Sequence, residues 1–191
     1  MGMTEITSNY LTHHFLIAMP HMADPRFMHS LIYVCDHSEE GAMGLVVNQL
    51  SGLSMSDILE QTSPELDVPS DIADIPVYTG GPIQTERGFV LHSGTRRWEA
   101  TLDLGSIQLT TSRDILFDMV NGQGPEESLV ALGYAGWEPG QLDQELTDNA
   151  WLSCPADHHI LFGMPSEQRL GAAARTLGID LSLLTSQAGH A

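Results

Sequence analysis

The sequence predicts an α+β domain on a mixed, mainly antiparallel sheet, and three observations carry that prediction. Short apolar runs of strand-like composition recur along the chain. Neighbouring runs are often joined by glycine-rich or polar turns of hairpin length, where a parallel pairing would need a crossover. Helical stretches are scattered among them without the regular strand–helix alternation of a doubly wound fold. At 191 residues a single domain spanning 1–191 is expected. A chain of that size buries about 70% of its unfolded surface, enough for a core without covalent staples.

The elements follow in order. Residues 14–19, 31–35 and 42–47 read as short buried strands. Between the first two, Asp24-Pro25 marks a helix start, with an acidic cap and proline at the first helical position. Between the second and third, DHSEEG forms a polar turn, which places Cys35, Asp36 and His37 at a hairpin tip. Ser54 with Asp57 is a capping-box pattern opening a helix over 54–61. Residues 62–74, with Pro64, Pro69 and the acids Glu65, Asp67, Asp71 and Asp74, read as a solvated loop. Strands are expected at 75–79, 87–92, 100–105 and 106–111, then a helix capped by Thr111 and Asp114 with Ile115, Leu116 and Met119 on its apolar face. A strand over 128–136, a helix from Pro139 to Asn149, a strand over 150–154, a helix from Ser166 stopped by Gly178, and a short helix capped by Asp180 complete the series.

Composition removes several functions. The chain has 7 basic and 25 acidic residues, a net charge of −18, and every basic residue is arginine. Without lysine there is no Schiff-base chemistry, no P-loop and no kinase strand lysine. Nucleic-acid binding draws on basic residues that displace phosphate counterions, and only Arg96-Arg97 beside Trp98 offers a footprint, so the sequence argues against direct nucleic-acid binding. No run approaches the ~18 apolar residues of a membrane span. The opening MGMTEITSNY has neither a basic region nor an apolar core, so it does not read as a secretory signal. A cytoplasmic location follows, and there Cys35 and Cys154 are expected as free thiols.

Three places carry candidate chemistry. On an extended strand Cys35 and His37 project from one face, where an imidazolium would lower the thiol pKa; the alternative is a core cysteine followed by a solvent-exposed histidine. Cys154, in SCPADHH, would complete a redox pair if the fold brought it near Cys35. Gly80-Gly81 between two strands would offer amides for an anion nest, with Arg87 as a second contact, or serve as a tight turn. Tyr134 and Trp137 at a glycine-rich junction would pack over backbone or line a pocket or partner surface. No GxSxG, HExxH, CxxC or GxGxxG motif is present, so no hydrolase triad, metal site or cofactor is implied.

The segment FLIAMPHMADPRFMHSLIYVCDHSEEGAMGLVVNQ, with YTGGPIQTERGFVLH, TSRDIL, ALGYAGWEPGQLDQEL, NAWLSCPAD and the terminal AGHA, resembles the YqgE/AlgH family over nearly the whole chain. The loop at 62–74 matches least, and Leu170 stands where a larger aromatic is expected. The resemblance implies a branched β-sheet with a small barrel-like portion surrounded by helices. It also implies the label of transcriptional regulator, and it supplies no agreed catalytic residues. Together these readings lean away from an enzyme. They favour a regulatory or interaction protein acting indirectly on gene expression through a protein or small-ligand partner, with a thiol-dependent enzyme or redox sensor at Cys35 as the alternative.

Overall fold

A computed structural model describes residues 10–188; the N-terminal residues 1–9 and most of the terminal AGHA lie outside the described residues. Ten strands and seven α-helices follow in sequence: β1 (His14–Ala18), β2 (Leu31–Ser38), β3 (Gly41–Val46), β4 (Leu50–Ser54), α1 (Met55–Thr62), α2 (Ser70–Ala73), β5 (Pro76–Thr79), β6 (Ile83–His92), β7 (Thr101–Asp103) and β8 (Gln108–Thr110). They continue with α3 (Asp114–Val120), β9 (Ser128–Trp137), α4 (Gln141–Thr147), β10 (Trp151–Pro155), α5 (His158–Phe162), α6 (Ser166–Thr176) and α7 (Leu181–Ala188). Asp24-Pro25 opens only a single 3₁₀ turn, Pro25–Phe27, with the Asp24 carboxylate accepting from the Arg26 amide.

The strands form one curled sheet in the order β10-β1-β2-β3-β9-β6-β8-β7, with β4 and β5 as a side branch. Every pairing is antiparallel except β5 on β9. The branch arises because β9 changes neighbours along its length. Val130–Leu132 pair with Val77–Thr79 of β5, whereas Ala135–Trp137 pair with Ala42–Gly44 of β3. At the changeover the backbone of Gly80-Gly81 crosses that of Gly133-Tyr134 at contact distance. A Cβ on Gly81 would lie 2.1 Å from the Tyr134 carbonyl carbon, and one on Gly133 would lie 2.4 Å from the Gly81 oxygen. Only glycine lets two main chains approach this closely.

Helices cover the sheet around three apolar clusters. Phe15, Tyr33, Cys35, Leu45 and Cys154 pack beneath α5 and α6 on one face. Leu16, Ile32, Val34, Trp137 and Trp151 pack on the other, beside Leu142 of α4. The third cluster joins Val77, Val90 and Val130 to Met55 and Leu59 of α1 and Ile115 and Met119 of α3.

Several local expectations need correction. The β2–β3 hairpin turns at Glu39-Glu40, so Cys35 to His37 lie within β2 and not at the tip. The 62–74 loop carries the short helix α2, and β4 and α5 were not expected from the sequence. Strand β6 begins at Ile83, earlier than its apolar half suggests, because its first six residues are exposed. Arg113, not Thr111, takes the cap position of α3; the Ser112 hydroxyl bonds the Asp114 carboxylate, which also accepts from the Ile115 amide. The Ser54–Asp57 pair does open α1, with the Ser54 amide donating to Asp57 Oδ2 at 2.8 Å.

Candidate functional site

The cysteine–histidine pairing expected on β2 does not form. The register with β3 shifts between Val34 and Asp36, so one residue is extra on β2. A bulge of this kind reverses which face the following residues occupy. Cys35 packs with Tyr33 and Leu45, whereas His37 pairs with Ala42, whose other neighbour Trp137 lies in the opposite cluster. There the His37 ring accepts the Leu11 amide at 3.0 Å through Nδ1 and meets Tyr10 edge-on at 5.2 Å. Its Nε2 stands 3.4 Å from Asp143 Oδ1 without forming a hydrogen bond.

Both thiols are buried and their pKa values are raised, chiefly by loss of hydration, with Asp36 adding to the effect at Cys35. The Cys35 thiol points to the Tyr33 carbonyl and the Cys154 thiol to the Ala173 carbonyl, each at 3.9 Å. Cys154 pairs with Phe15, which pairs with Tyr33. Cys35 is therefore two strands and two residues away from Cys154, or about 12 Å on the sheet lattice. A disulfide needs Cα atoms within about 7 Å. Treated with a neutral alkylating reagent at pH 7, both cysteines are expected to react at least ~100-fold more slowly than in the denatured chain. Equal rates in the two states would contradict this burial.

The glycine pair holds no nest at Gly80. Its amide donates to the Leu132 carbonyl and its carbonyl accepts from the Val46 amide, both at 2.8 Å. Trp137, only 6% exposed, belongs to an aromatic cluster, stacked on Phe27 at 6.4 Å and edge-on to Trp151 at 6.1 Å. Tyr134 lies on the opposite face, edge-on to Phe89. The two aromatics thus share no surface, since three residues along a strand separates faces.

Arg87 is exposed, and it leads to a cleft in the structure. Its Nη1 meets only the neutral Gln84 Oε1, at 3.3 Å, and its guanidinium sits 5.3 Å over the Phe89 ring. It borders a cleft of about 260 Å³ between α1 and α3, over strands β6, β8 and β9. Val90, Val130 and Leu132 form the floor, Ile58 and Leu59 one wall, Leu116 and Phe117 the other. Arg113 stands at the rim with Glu86. Among the described residues neither Arg87 nor Arg113 has an ion-pair partner.

Four of the other five arginines are occupied. Arg26 pairs with Asp24, Arg96 with Asp118 and Arg97 with Asp103. Arg169 is buried on backbone carbonyls, whereas Arg175, in the last turn of α6 and away from the cleft, has no ion-pair partner among the described residues. Sequence reasoning reached Arg87 but missed Arg113 and the cleft. Its walls come from residues 58–63, 86–90, 110–117 and 130–132, and no local spacing announces that these segments meet.

The fold and its cleft define a mixed α+β protein with an apolar, arginine-rimmed recess and with buried, separated thiols. A family profile described as AlgH-like matches residues 15–182, and the chain belongs to that family. The AlgH protein of Pseudomonas aeruginosa is 56% identical over 189 residues, covering 99% of this chain and 100% of that protein. A relative in Stutzerimonas stutzeri is 57% identical over the same span. The solution structure of the P. aeruginosa AlgH protein superposes with a TM-score of 0.82 at 56% identity, covering 99% of this chain and 100% of that chain. A crystal structure from Corynebacterium diphtheriae, 22% identical over 91% of each chain, matches at a TM-score of 0.69 and shows the fold alone.

Proposed function

We propose that this protein is a cytoplasmic regulatory protein that acts indirectly on gene expression by receiving an acidic partner at the α1–α3 cleft. The observation that carries this reading is the pair of unneutralised arginines on that one cleft, in a chain whose net charge is −18. An acidic surface repels anions in general, so two guanidiniums without a carboxylate partner among the described residues, beside an apolar floor, select the place where an anion is accepted. Indirect action is supported by Arg96 and Arg97, whose carboxylate partners remove the charge a phosphate backbone would need. The geometry offers nothing to the thiol alternative, because it separates Cys35 from both His37 and Cys154.

The test replaces the chromosomal gene with an Arg87→Glu, Arg113→Glu version in the cell of origin. Both positions are exposed, so protein level and unfolding midpoint should hold. The expression profile is expected to match that of a deletion strain. The purified wild-type protein is expected to shift no promoter DNA at low salt. A wild-type expression profile in the doubly reversed strain would remove the cleft from the regulatory role.

A further inference from the structure

Resting on that reading and going one step further, we infer that the cleft binds a small amphipathic monocarboxylate: one carboxylate on an apolar chain or ring of about eight carbons. Size sets the first limit. Pockets for drug-sized ligands run from roughly 300 to 1,000 Å³. At about 260 Å³ this cleft is too small for a nucleotide or a folded peptide element.

The lining sets the second limit. The apolar surfaces of Val90, Val130, Leu116 and the partly exposed Phe117 call for an apolar body. Three of the five lining hydroxyls are already engaged. Thr110 is bonded to His92 and Thr101, Ser112 to Asp114 and the Ala100 amide, and Thr62 to the Ile58 carbonyl. A ligand rich in hydroxyls would outnumber the two that remain, Ser63 and Thr111, and leave polar groups of its own unpaired along the apolar floor.

Charge sets the third. Two arginines and Glu86 give the cleft a net charge of one positive unit, which suits a monoanion better than a phosphate dianion. A guanidinium meets a carboxylate through two parallel N–H donors. Arg87 is held for this role by its place over the Phe89 ring, and its remaining donors face no carboxylate among the described residues.

The experiment titrates the full-length ¹⁵N-labelled chain with octanoate, 3-phenylpropionate, octanamide and octyl phosphate. Octanoate and 3-phenylpropionate are expected to produce saturable shifts at the amides of Gly88, Val90, Leu116, Phe117 and Val130. Octanamide, the same body without charge, should bind at least tenfold more weakly. The exposed-site variant Arg87→Gln, Arg113→Gln should raise the octanoate Kd at least tenfold with an unchanged unfolding midpoint.

Equal binding of acid and amide, an unchanged Kd in the variant, tighter binding of octyl phosphate, or no shifts at the cleft would each overturn the assignment. The two proposals fail separately. If charge reversal of the arginines reproduces the deletion while octanoate leaves the cleft unmoved, the binding face stands and the ligand class falls. If octanoate binds but charge reversal changes nothing in the cell, the regulatory reading falls and the ligand class stands.

Discussion

The Gly81→Ala variant is expected to reach the cell as unfolded or degraded chain, destabilised by about 4 kcal/mol or more, against total stabilities of roughly 5–15 kcal/mol for domains of this kind. The added methyl would sit 2.1 Å from the Tyr134 carbonyl carbon, 2.2 Å from its oxygen and 2.4 Å from the Ala135 nitrogen. All three are backbone atoms of β9, the strand that holds β3, β5 and β6 together. Overpacking against side chains typically costs about 1–3 kcal/mol because rotamers can give way. Here the strand itself would have to move, and its pairing with β3 and β5 would move with it. Two other glycines calibrate the result. Gly94 has φ +86° and open space around its would-be Cβ, so Gly94→Ala should cost only the left-handed backbone term, about 1–2 kcal/mol. Gly88 has open space and no positive φ, so Gly88→Ala should be neutral or stabilising by up to about 1 kcal/mol. Denaturant unfolding of the three variants measures the order. A Gly81→Ala protein no less stable than Gly94→Ala would refute the account of the branch point.

The same glycines show what could be read from the sequence and what could not. Local pattern located most strands and helices, because apolar runs, caps and the Gly178 stop act over a few residues. Strand β4, LSGLS, escaped because it lies at the margin of the sheet, where Leu50 and Leu53 are largely exposed and no alternation develops. Helices α2 and α5, at four and five residues, are shorter than one period of a pattern can establish. The sites fared less well. One bulge at Cys35 moved His37 to the other face, and a register shift leaves no mark in composition. Gly80 and Gly81 carried a visible signal whose meaning depended on a strand 50 residues further along, since the partner backbone at Gly133 and Tyr134 is brought there only by the whole sheet. Arg113 became a cleft residue through the same long-range assembly.

Replacing Arg169 is expected to release α6 from the sheet, with a cost that separates its bonds from its bulk. This guanidinium is only 6% exposed and has no carboxylate partner among the described residues. Its Nη1 donates to the Val47 carbonyl at 2.6 Å, its Nε donates to the Met164 carbonyl at 3.0 Å, and its carbon lies 5.0 Å over the Tyr78 ring. It thus ties α6 to the end of β3, to the turn before the helix, and to β5. A buried unpaired charge is costly in itself, so removing it also returns some stability. Against that stand two charge-assisted hydrogen bonds at about 1.5–3 kcal/mol each, the cation–π contact, and two carbonyls left without this donor. The losses outweigh the gain, and Arg169→Ala, which adds a cavity, should cost about 3–4 kcal/mol. Arg169→Met fills the volume but bonds to neither carbonyl, and should cost about 2 kcal/mol. Because the Cys154 thiol lies under α6, donating to the Ala173 carbonyl, the local opening has its own reporter. In Arg169→Ala, Cys154 should be alkylated at least ~10-fold faster than in the wild type, before global unfolding, as expected when one element detaches at lower free energy than the whole. If Met and Ala both leave stability unchanged and Cys154 stays protected in both, Arg169 acts by neither its bonds nor its bulk at this joint, and α6 is held by Ala172, Ala173 and Ala174 in the core alone.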